Sequence, residues 1–206
     1  MSKRHFFLRL LSLMLVMLLV GGLCACGEEP DSAPLDHEAT AERFIEAYYL
    51  RDMATRFSLT FYNARQKWED ETIAYQGSAE AFFAEAQKQA NDRGIDATVD
   101  SFDSYFAAFH QFSLEDCKRQ YGEYTVATEA IASAKLEGAA LDSYRQQQLG
   151  AIDAKYIDAD AFNAVTEAYQ VTVHIRIDGE KKDYDETYLV NVVLHDSTWL
   201  VVSHSI

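Results

Sequence analysis

The last forty residues constrain the fold of this chain most strongly, because their polarity alternates with a period of two. Apolar residues occupy every second position from Tyr169 to Ile177, and polar residues fill the positions between them. This alternation, with β-branched residues in the apolar phase, is typical of a strand with one buried face. Two further strands are predicted, from about Asp183 to His195 and from Thr198 to Ser205, so the chain should end in an antiparallel meander.

The turn at Asp178-Gly179 sets the expected register of the first hairpin. An Asp-Gly pair is a strong signal for a two-residue turn, since glycine adopts positive φ at little cost. This turn would place Ile177 opposite Glu180 and Val173 opposite Tyr184. On that register His174 lies opposite Asp183.

The turn at Asp196-Ser197 sets the register of the second hairpin and places Leu194 opposite Trp199, His195 opposite Thr198 and His204 opposite Leu189. Paired residues share a face of the sheet. One face should therefore carry the core: Tyr169, Val171, Val173, Ile175, Tyr184, Tyr188, Val190, Val192, Leu194, Trp199 and Val201. The other face is polar except for Leu189, Val193, Leu200 and Val202. This second apolar group predicts a cover, either a helix, a partner subunit or the inner side of a curved sheet.

The chain between residues 36 and 121 has helical spacing. Asp36 can cap a first helix, and its apolar stripe is Ala41, Phe44, Ile45, Tyr48 and Tyr49. A second helix is predicted from Ala54 to Ala74, and a strand stays open as the alternative for its aromatic start, Phe57 to Tyr62. Ser78 should cap a third, which Gly94 ends. Aromatic residues between 101 and 121 predict a further helix, with a break near Ser113 left open.

The residues from 121 to 165 lead into the meander. Alternation from Tyr121 to Leu136 predicts a strand, and helical segments are expected from Gly138 to Leu149 and from Asp158 to Val165. The fold class expected from these elements is α+β, with N-terminal helices packed on a curved C-terminal antiparallel sheet.

The first 25 residues have the pattern of an export signal. Lys3, Arg4 and Arg9 precede an apolar run, Leu10–Val20, that is shorter than a membrane span and has the length of a signal-peptide core. The sequence Leu23-Cys24-Ala25-Cys26-Gly27 then resembles a bacterial lipobox. The resemblance implies cleavage before Cys26 and attachment of lipid to its sulfur.

This resemblance implies a mature protein held on the extracytoplasmic face of a bacterial membrane by its N-terminal lipid. Residues 1–25 would be the signal peptide, 26–36 the lipidated cysteine and a flexible tether, and 37–206 a single domain. Only Cys117 would remain unmodified, so no internal disulfide is expected. The formal net charge of −15 argues against nucleic acid as a partner.

Helices followed by a strand and a long meander are similar to the nuclear transport factor 2-like, or cystatin-like, fold, and the turn, tryptophan and aliphatic run from Asp196 to Val202 is one feature of this resemblance. The aromatic stripe of the first helix and the lipobox belong to the same resemblance. It implies a cone-shaped sheet with an internal cavity. Members include isomerases, dehydratases and binding domains, so the fold by itself does not assign an activity.

Residue types suited to isomerase chemistry occur in the chain, but no pattern selects a catalytic group among them. They are Tyr48, Asp52, Asp100, Asp103, Tyr105 and Tyr188. His174, His195 and His204 lie at separate positions of the predicted sheet, so surface histidines are expected rather than a metal site. Cys117 is interpreted as a buried structural residue.

The sequence favours a lipid-anchored binding domain for an unknown small ligand or an envelope protein, with no catalysis, cofactor or metal. Tyr48, Tyr188 and Trp199 are the predicted ligand-binding residues. Two alternatives stay open: a small isomerase-like or dehydratase-like enzyme, and an accessory subunit or homodimer that uses the second apolar face of the sheet.

Overall fold

The computed structural model describes residues 35–206. Cys26, the predicted signal peptide and all but the end of the predicted tether therefore lie outside the described residues. In the described part the helices are α1 (His37–Tyr49), α2 (Met53–Ser58), α3 (Ala64–Gln76), α4 (Ala79–Asp92), α5 (Phe102–Tyr121), α6 (Ala139–Ala151) and α7 (Ala159–Asn163). The strands are β1 (Tyr124–Leu136), β2 (Ala168–Gly179), β3 (Tyr184–His195) and β4 (Thr198–Ser205).

The four strands form one antiparallel sheet in the order β1-β2-β3-β4. The sheet is curved and does not close, so the predicted α+β class and the C-terminal meander are confirmed. Two bulges interrupt the ladders, at Ala130/Ala132 and at Asn191/Val192. Bulges bend and twist a strand, which accounts for curvature at both edges of the sheet.

The predicted register of the first hairpin is wrong by four residues. Ile177 pairs with Tyr184, and Val173 pairs with Tyr188. The turn lies at residues 180–183, because Gly179 still pairs with Tyr124 of β1. A four-residue shift is even, so each side chain keeps its predicted face. His174 consequently lies opposite Thr187 rather than Asp183.

Glycine is required at position 179 because other backbone and side-chain atoms lie close to its Cα, and not because of its φ angle. A Cβ atom there would lie 2.7 Å from the side chain and the carbonyl oxygen of Tyr121. The adjoining turn is tied to the same region, since the Lys181 amide donates to the Tyr121 carbonyl at 2.8 Å. The glycine thus lets the first hairpin meet the end of α5.

The second hairpin begins as predicted, with His195 opposite Thr198 and Leu194 opposite Trp199. Both turn residues have positive φ, 46° for Asp196 and 65° for Ser197, as a two-residue turn of this kind requires. Beyond the bulge the register changes. His204 pairs with Val190, so the predicted pairing of His204 with Leu189 is wrong.

The inner face of the sheet packs on α1, as its apolar stripe predicts. The buried residues of this core are Ala41, Phe44, Ile45, Val171, Val173, Ile175, Tyr188, Val190, Val192 and Val201. The helix begins at the predicted cap, where Asp36 accepts from the Ala39 amide at 2.8 Å. Burial of these side chains is the main force that holds α1 on the sheet.

The outer face of the sheet is covered by α6, α7 and the segment between them. Val193 is 0% exposed and Val202 is 4% exposed. They share a core with Leu141, Tyr144, Ile152, Tyr156, Ile157, Phe162, Val165 and Ala168. Of the three covers that the sequence allowed, helices of the same chain are the one present over these two residues.

The single helix predicted from Ala54 to Ala74 is wrong. The structure divides this segment into α2 and α3, with Thr60 between them in a parallel bridge to Val201 of β4. The Phe61 amide donates to the Val201 carbonyl at 2.8 Å, and the Val201 amide donates to the Leu59 carbonyl at 2.7 Å. Hydrogen bonds to a sheet edge replace those that a continuous helix would make.

The remaining helices pack on one another. Trp68 of α3 and Phe82 of α4 meet the aromatic face of α5, which runs unbroken past the buried Ser113. Ser78 caps α4 and Gly94 follows its end with φ of 72°, both as predicted. No helix from residue 35 onward combines the length and the hydropathy that a membrane crossing needs.

Candidate functional site

A cleft of about 580 Å³ lies between the helices and one end of the sheet. It is named here the aromatic cleft. Its walls come from the end of α1, from α2, α3 and α5, and from β3. The lining residues are Tyr48, Tyr49, Arg51, Met53, Arg56, Phe57, Tyr62, Ala64, Lys67, Trp68, Glu71, Tyr105, Phe106, Phe109, Tyr184 and Tyr188.

A sharp reversal after α1 creates this space. Arg51 has a φ of 56°, and Asp52 then caps α2 by accepting from the Thr55 amide at 3.1 Å and from its hydroxyl at 2.6 Å. Partial burial by itself would raise the pKa of the Asp52 carboxyl, but the hydrogen bonds from the Thr55 hydroxyl and amide, with nearby positive charge, hold the pKa below its usual value. Since the end of α2 is fastened to β4, this short helix is held across the end of the sheet.

Aromatic rings form the walls of the cleft. Trp68 stacks on Tyr105 with ring centroids 5.7 Å apart and lies 5.1 Å from the Phe106 ring. On the side of the sheet, the Tyr48 and Tyr188 rings meet edge to face at 5.9 Å. Burial raises the pKa of Tyr105 and of Tyr188, so both hydroxyls stay protonated at neutral pH. Such walls suit a flat apolar ligand and leave hydroxyls for hydrogen bonds.

Arg56 is a half-buried cation at the base of this cleft. Its Cζ lies 4.8 Å from the Tyr48 ring centroid and 5.6 Å from that of Phe44. One terminal nitrogen, Nη1, donates to the Met53 sulfur at 3.3 Å, and the buried Nε has no hydrogen-bond acceptor among the described residues. Burial lowers the pKa of the guanidinium, which nevertheless remains charged.

His204 lies beside Arg56, which corrects its predicted place on the surface. The β4 bulge turns it toward the inner face of the sheet, 4.7 Å from the Tyr48 ring and 5.1 Å from the Phe44 ring. His204 and Arg56 line a second pocket of about 290 Å³. Burial, followed by repulsion from Arg56, lowers the pKa of this imidazole, so it is neutral at physiological pH.

The charges that line the aromatic cleft oppose the charge of the chain. Arg51, Arg56 and Lys67 line it with Glu71 as the lining carboxylate, although the chain as a whole carries a formal charge of −15. Lys67 pairs with Glu71 at 2.5 Å, and the Glu71 side chain is 62% exposed. Two arginines therefore give the cleft a local positive charge.

The structure brings together two of the three predicted ligand-binding residues. Tyr48 and Tyr188 both line the aromatic cleft. Trp199 does not line it, because it packs at 5.5 Å against the Tyr169 ring and at 5.3 Å against the His37 ring. A Trp199 contact with a ligand in this cleft is therefore not supported.

The acids that the sequence singled out do not line the aromatic cleft. Asp52 caps α2 and lines neighbouring pockets instead. Asp103 pairs with Arg65 at 2.9 Å and its side chain is 78% exposed. Asp100 is exposed and accepts from the Ser104 hydroxyl at 3.3 Å.

Glu186 is a carboxylate that the sequence analysis missed. It lies between Tyr184 and Tyr188 on the inner face of the sheet, and both hydroxyls donate to its Oε2. The alternation of β3 could have found it, since Glu186 is a charged residue in the apolar phase of that strand. These two hydrogen bonds hold the tyrosine rings at the edge of the cleft.

His174, His195 and Cys117, for which the sequence predicted no reactive role, are not lining residues of the cleft. His174 contacts Asp185 at 2.8 Å and His195 contacts Asp196 at 3.4 Å. Among residues 35–206 no three His, Cys, Asp or Glu side chains converge as metal ligands would. Cys117 is buried at the junction of α5 with the sheet, and burial raises the pKa of its thiol, which suits the structural role predicted for it.

The sequence also did not predict Arg56 and Trp68 as site residues. Neither carries a local signal, because each lines the cleft only as a consequence of the break between α2 and α3.

Comparisons with protein-family models, with curated proteins and with solved structures found no match to this chain.

Proposed function

We propose that this protein is a non-enzymatic binding domain whose aromatic cleft holds a small ligand with a flat apolar part. The observation that carries the proposal is the cleft of about 580 Å³ with aromatic walls. Small-molecule sites in proteins usually enclose about 300–1,000 Å³ and combine apolar walls with a few polar groups. Tyr48, Trp68, Tyr105 and Tyr188 would contact the ligand.

The geometry favours binding over isomerase or dehydratase chemistry. Either reaction would need an acid or a base that faces the ligand from inside the cleft. Glu71, the carboxylate that lines the cleft, is exposed and paired with Lys67. Glu186 accepts hydrogen bonds from two tyrosines and is not a lining residue.

The accessory-subunit alternative receives less support than the ligand-binding proposal. It would use Leu189, Val193, Leu200 and Val202 as a contact surface for a partner. Val193 and Val202 are buried under α6 and α7, and Leu189 is 37% exposed. The apolar area left for a partner on this face is therefore small.

We also propose that the domain is a nuclear transport factor 2-like cone. The curved, unclosed antiparallel sheet with α1 against its inner face supports this assignment. The aromatic cleft lies at the end of α1 between that sheet and the other helices, where a cone of this kind would open.

Membrane attachment through Cys26 is part of the same proposal. We expect Cys26→Ser to abolish lipid labelling and to release the protein from the membrane fraction of a bacterial host. Cys24→Ser is the matched control, since it removes a thiol two residues away and should leave both properties intact. Equal labelling of the two variants would contradict attachment at Cys26, and mass spectrometry of the N-terminal peptide would identify the modified residue.

Native mass spectrometry tests the cleft directly. The described residues form one compact unit, so a protein of residues 27–206 retains the whole cleft. Purified without detergent, it should carry an extra mass that leaves on denaturation. Ala64→Trp would fill the cleft from the start of α3 and should abolish this mass, because Ala64 is a lining residue.

Ala140→Trp is the matched control, since Ala140 is exposed on α6 and away from the cleft. It should leave the extra mass unchanged. An extra mass that survives Ala64→Trp would lie elsewhere on the protein and would contradict the proposal.

A further inference from the structure

We infer that the ligand of the aromatic cleft carries an anionic group, a carboxylate or a phosphate, and that Arg56 binds it. The inference rests on the proposed function and adds the charge of the ligand to it. It follows from how this arginine is buried, from what surrounds it, and from the charge of the chain.

Arg56 is half-buried and has no counter-charge in the part of the chain that the structure describes. No carboxylate of the described residues lies within 4.0 Å of its guanidinium. Its hydrogen-bond and cation–π partners within residues 35–206 are the Met53 sulfur and the rings of Phe44 and Tyr48. A buried cation without a partner is costly, and native proteins normally supply a carboxylate or another acceptor.

Arg145 shows the usual solution in the same chain. It is also half-buried and its Nε also lacks an acceptor, but its Nη1 contacts Asp142 at 3.0 Å. The chain has 33 acidic residues against 18 basic ones, so acids are abundant. That Arg56 has no carboxylate partner among residues 35–206 is therefore a specific feature of the cleft, and it indicates that an acceptor on the ligand pairs with the guanidinium.

An anion on an aromatic or otherwise flat body fits this arrangement. A guanidinium offers a planar set of donors that matches the oxygens of a carboxylate or a phosphate. Trp68 and Tyr105 would stack on the body of the ligand, and Arg56 would meet its charged end.

The charge of the chain makes binding of an anion informative. A protein with a net charge of −15 repels small anions from its surface. Preference for an anionic ligand over its neutral analogue would therefore require a local positive site rather than general attraction. Arg51 at the rim of the cleft would assist, because it is exposed and also lines the cleft.

The test uses a panel of nine probes, with benzene, naphthalene and indole bodies that each carry a short chain ending in a carboxylate, an amide or an amine. Affinities for residues 27–206 are measured by titration calorimetry or by ligand-observed NMR at neutral pH and 0.15 M salt. On at least one body we expect the carboxylate to bind at least about tenfold more tightly than the amide, as for a partly buried charge-assisted hydrogen bond. The amine should bind most weakly.

Arg56→Met should reduce the carboxylate-to-amide ratio to near one. Arg56→Lys keeps the charge without the planar donors and should give an intermediate ratio, which also provides a readout if Arg56→Met does not fold. The matched control is Arg176→Met, which removes an exposed arginine paired with Asp178 at 2.6 Å and should change nothing.

The outcomes separate the inference from the proposed function. Amides that bind as tightly as carboxylates, or a ratio that persists in Arg56→Met, would overturn the anionic ligand and leave the cleft as a binding site. If none of the nine probes binds, both proposals fail together. Inorganic phosphate, tested alone, distinguishes a site for free phosphate from one that needs the aromatic body.

Discussion

Replacement of Phe162 by alanine should strongly destabilise the domain, because this ring holds α7 against the outer face of the sheet. Phe162 is 0% exposed. Its ring centroid lies 5.1 Å from that of Phe61 and 6.4 Å from that of Tyr144. Phe61 belongs to the segment fastened to β4, so Phe162 joins the outer cover to the sheet edge that positions the cleft.

The expected loss is about 4 kcal/mol in the free energy of unfolding. Truncation of a fully buried phenylalanine usually costs about 3–5 kcal/mol, which combines lost burial with the cavity left behind. The two aromatic contacts put Phe162 in the upper part of that range. With a urea m-value of about 2 kcal/mol/M, the unfolding midpoint should fall by about 2 M.

Urea unfolding followed by circular dichroism measures this change, with Ile131→Ala as the matched control. Ile131 is 53% exposed at the β1 bulge, so its truncation should cost less than about 0.5 kcal/mol. A loss below about 1 kcal/mol for Phe162→Ala would refute the packing of α7 on the sheet. An unchanged m-value would show that both variants unfold from the same compact state.

Three further predictions follow from single contacts. Ser197→Gly should raise the free energy of unfolding by up to about 1 kcal/mol and so raise the urea midpoint, because a serine with φ of 65° has a steric cost that glycine avoids. An unchanged or lower midpoint would contradict the turn geometry. The pKa of His204 is lowered by burial and by Arg56, so its contribution to stability is complete above the ordinary pKa of about 6.5 and is lost as the pH falls through the lowered value. Unfolding measured between pH 8 and 5 should therefore show a smaller loss in His204→Phe than in the wild type, and equal losses would disprove the burial. Tyr49→Phe should cost about 1 kcal/mol in the same assay, because it removes the 2.6 Å hydroxyl contact with Tyr121, and no measurable loss would argue that the bond contributes nothing.

The second hairpin could be predicted in detail because its signal is local. Asp196-Ser197 is a polar pair between two apolar runs, and the turn forms there with the predicted pairing of Leu194 and Trp199. The first hairpin could not be predicted in this way, because the local turn signal of Asp178-Gly179 competes with a contact between residues far apart in the sequence. Gly179 is needed where the hairpin meets Tyr121, so the turn moves to residues 180–183.

The candidate site was only partly predictable. Tyr48 could be placed toward the core by the stripe of α1, and Tyr188 by the alternation of β3. Arg56 could not, because its position depends on the bridge between Thr60 and Val201, which are far apart in the sequence. His204 was assigned to the wrong face of the sheet, because no residue near it in the sequence predicts the bulge in β4.

The sequence by itself determined the α+β class, the faces of the strands up to the β4 bulge, the caps of α1 and α4, and the second turn. Each of these depends on residues within a few positions of one another, through strand alternation, helical spacing or turn chemistry. Tertiary structure alone decided the four-residue shift, the β4 bulge, the break after α2 and hence the aromatic cleft. These features arise where distant backbone groups must satisfy their hydrogen bonds and fill space together, which no local pattern encodes.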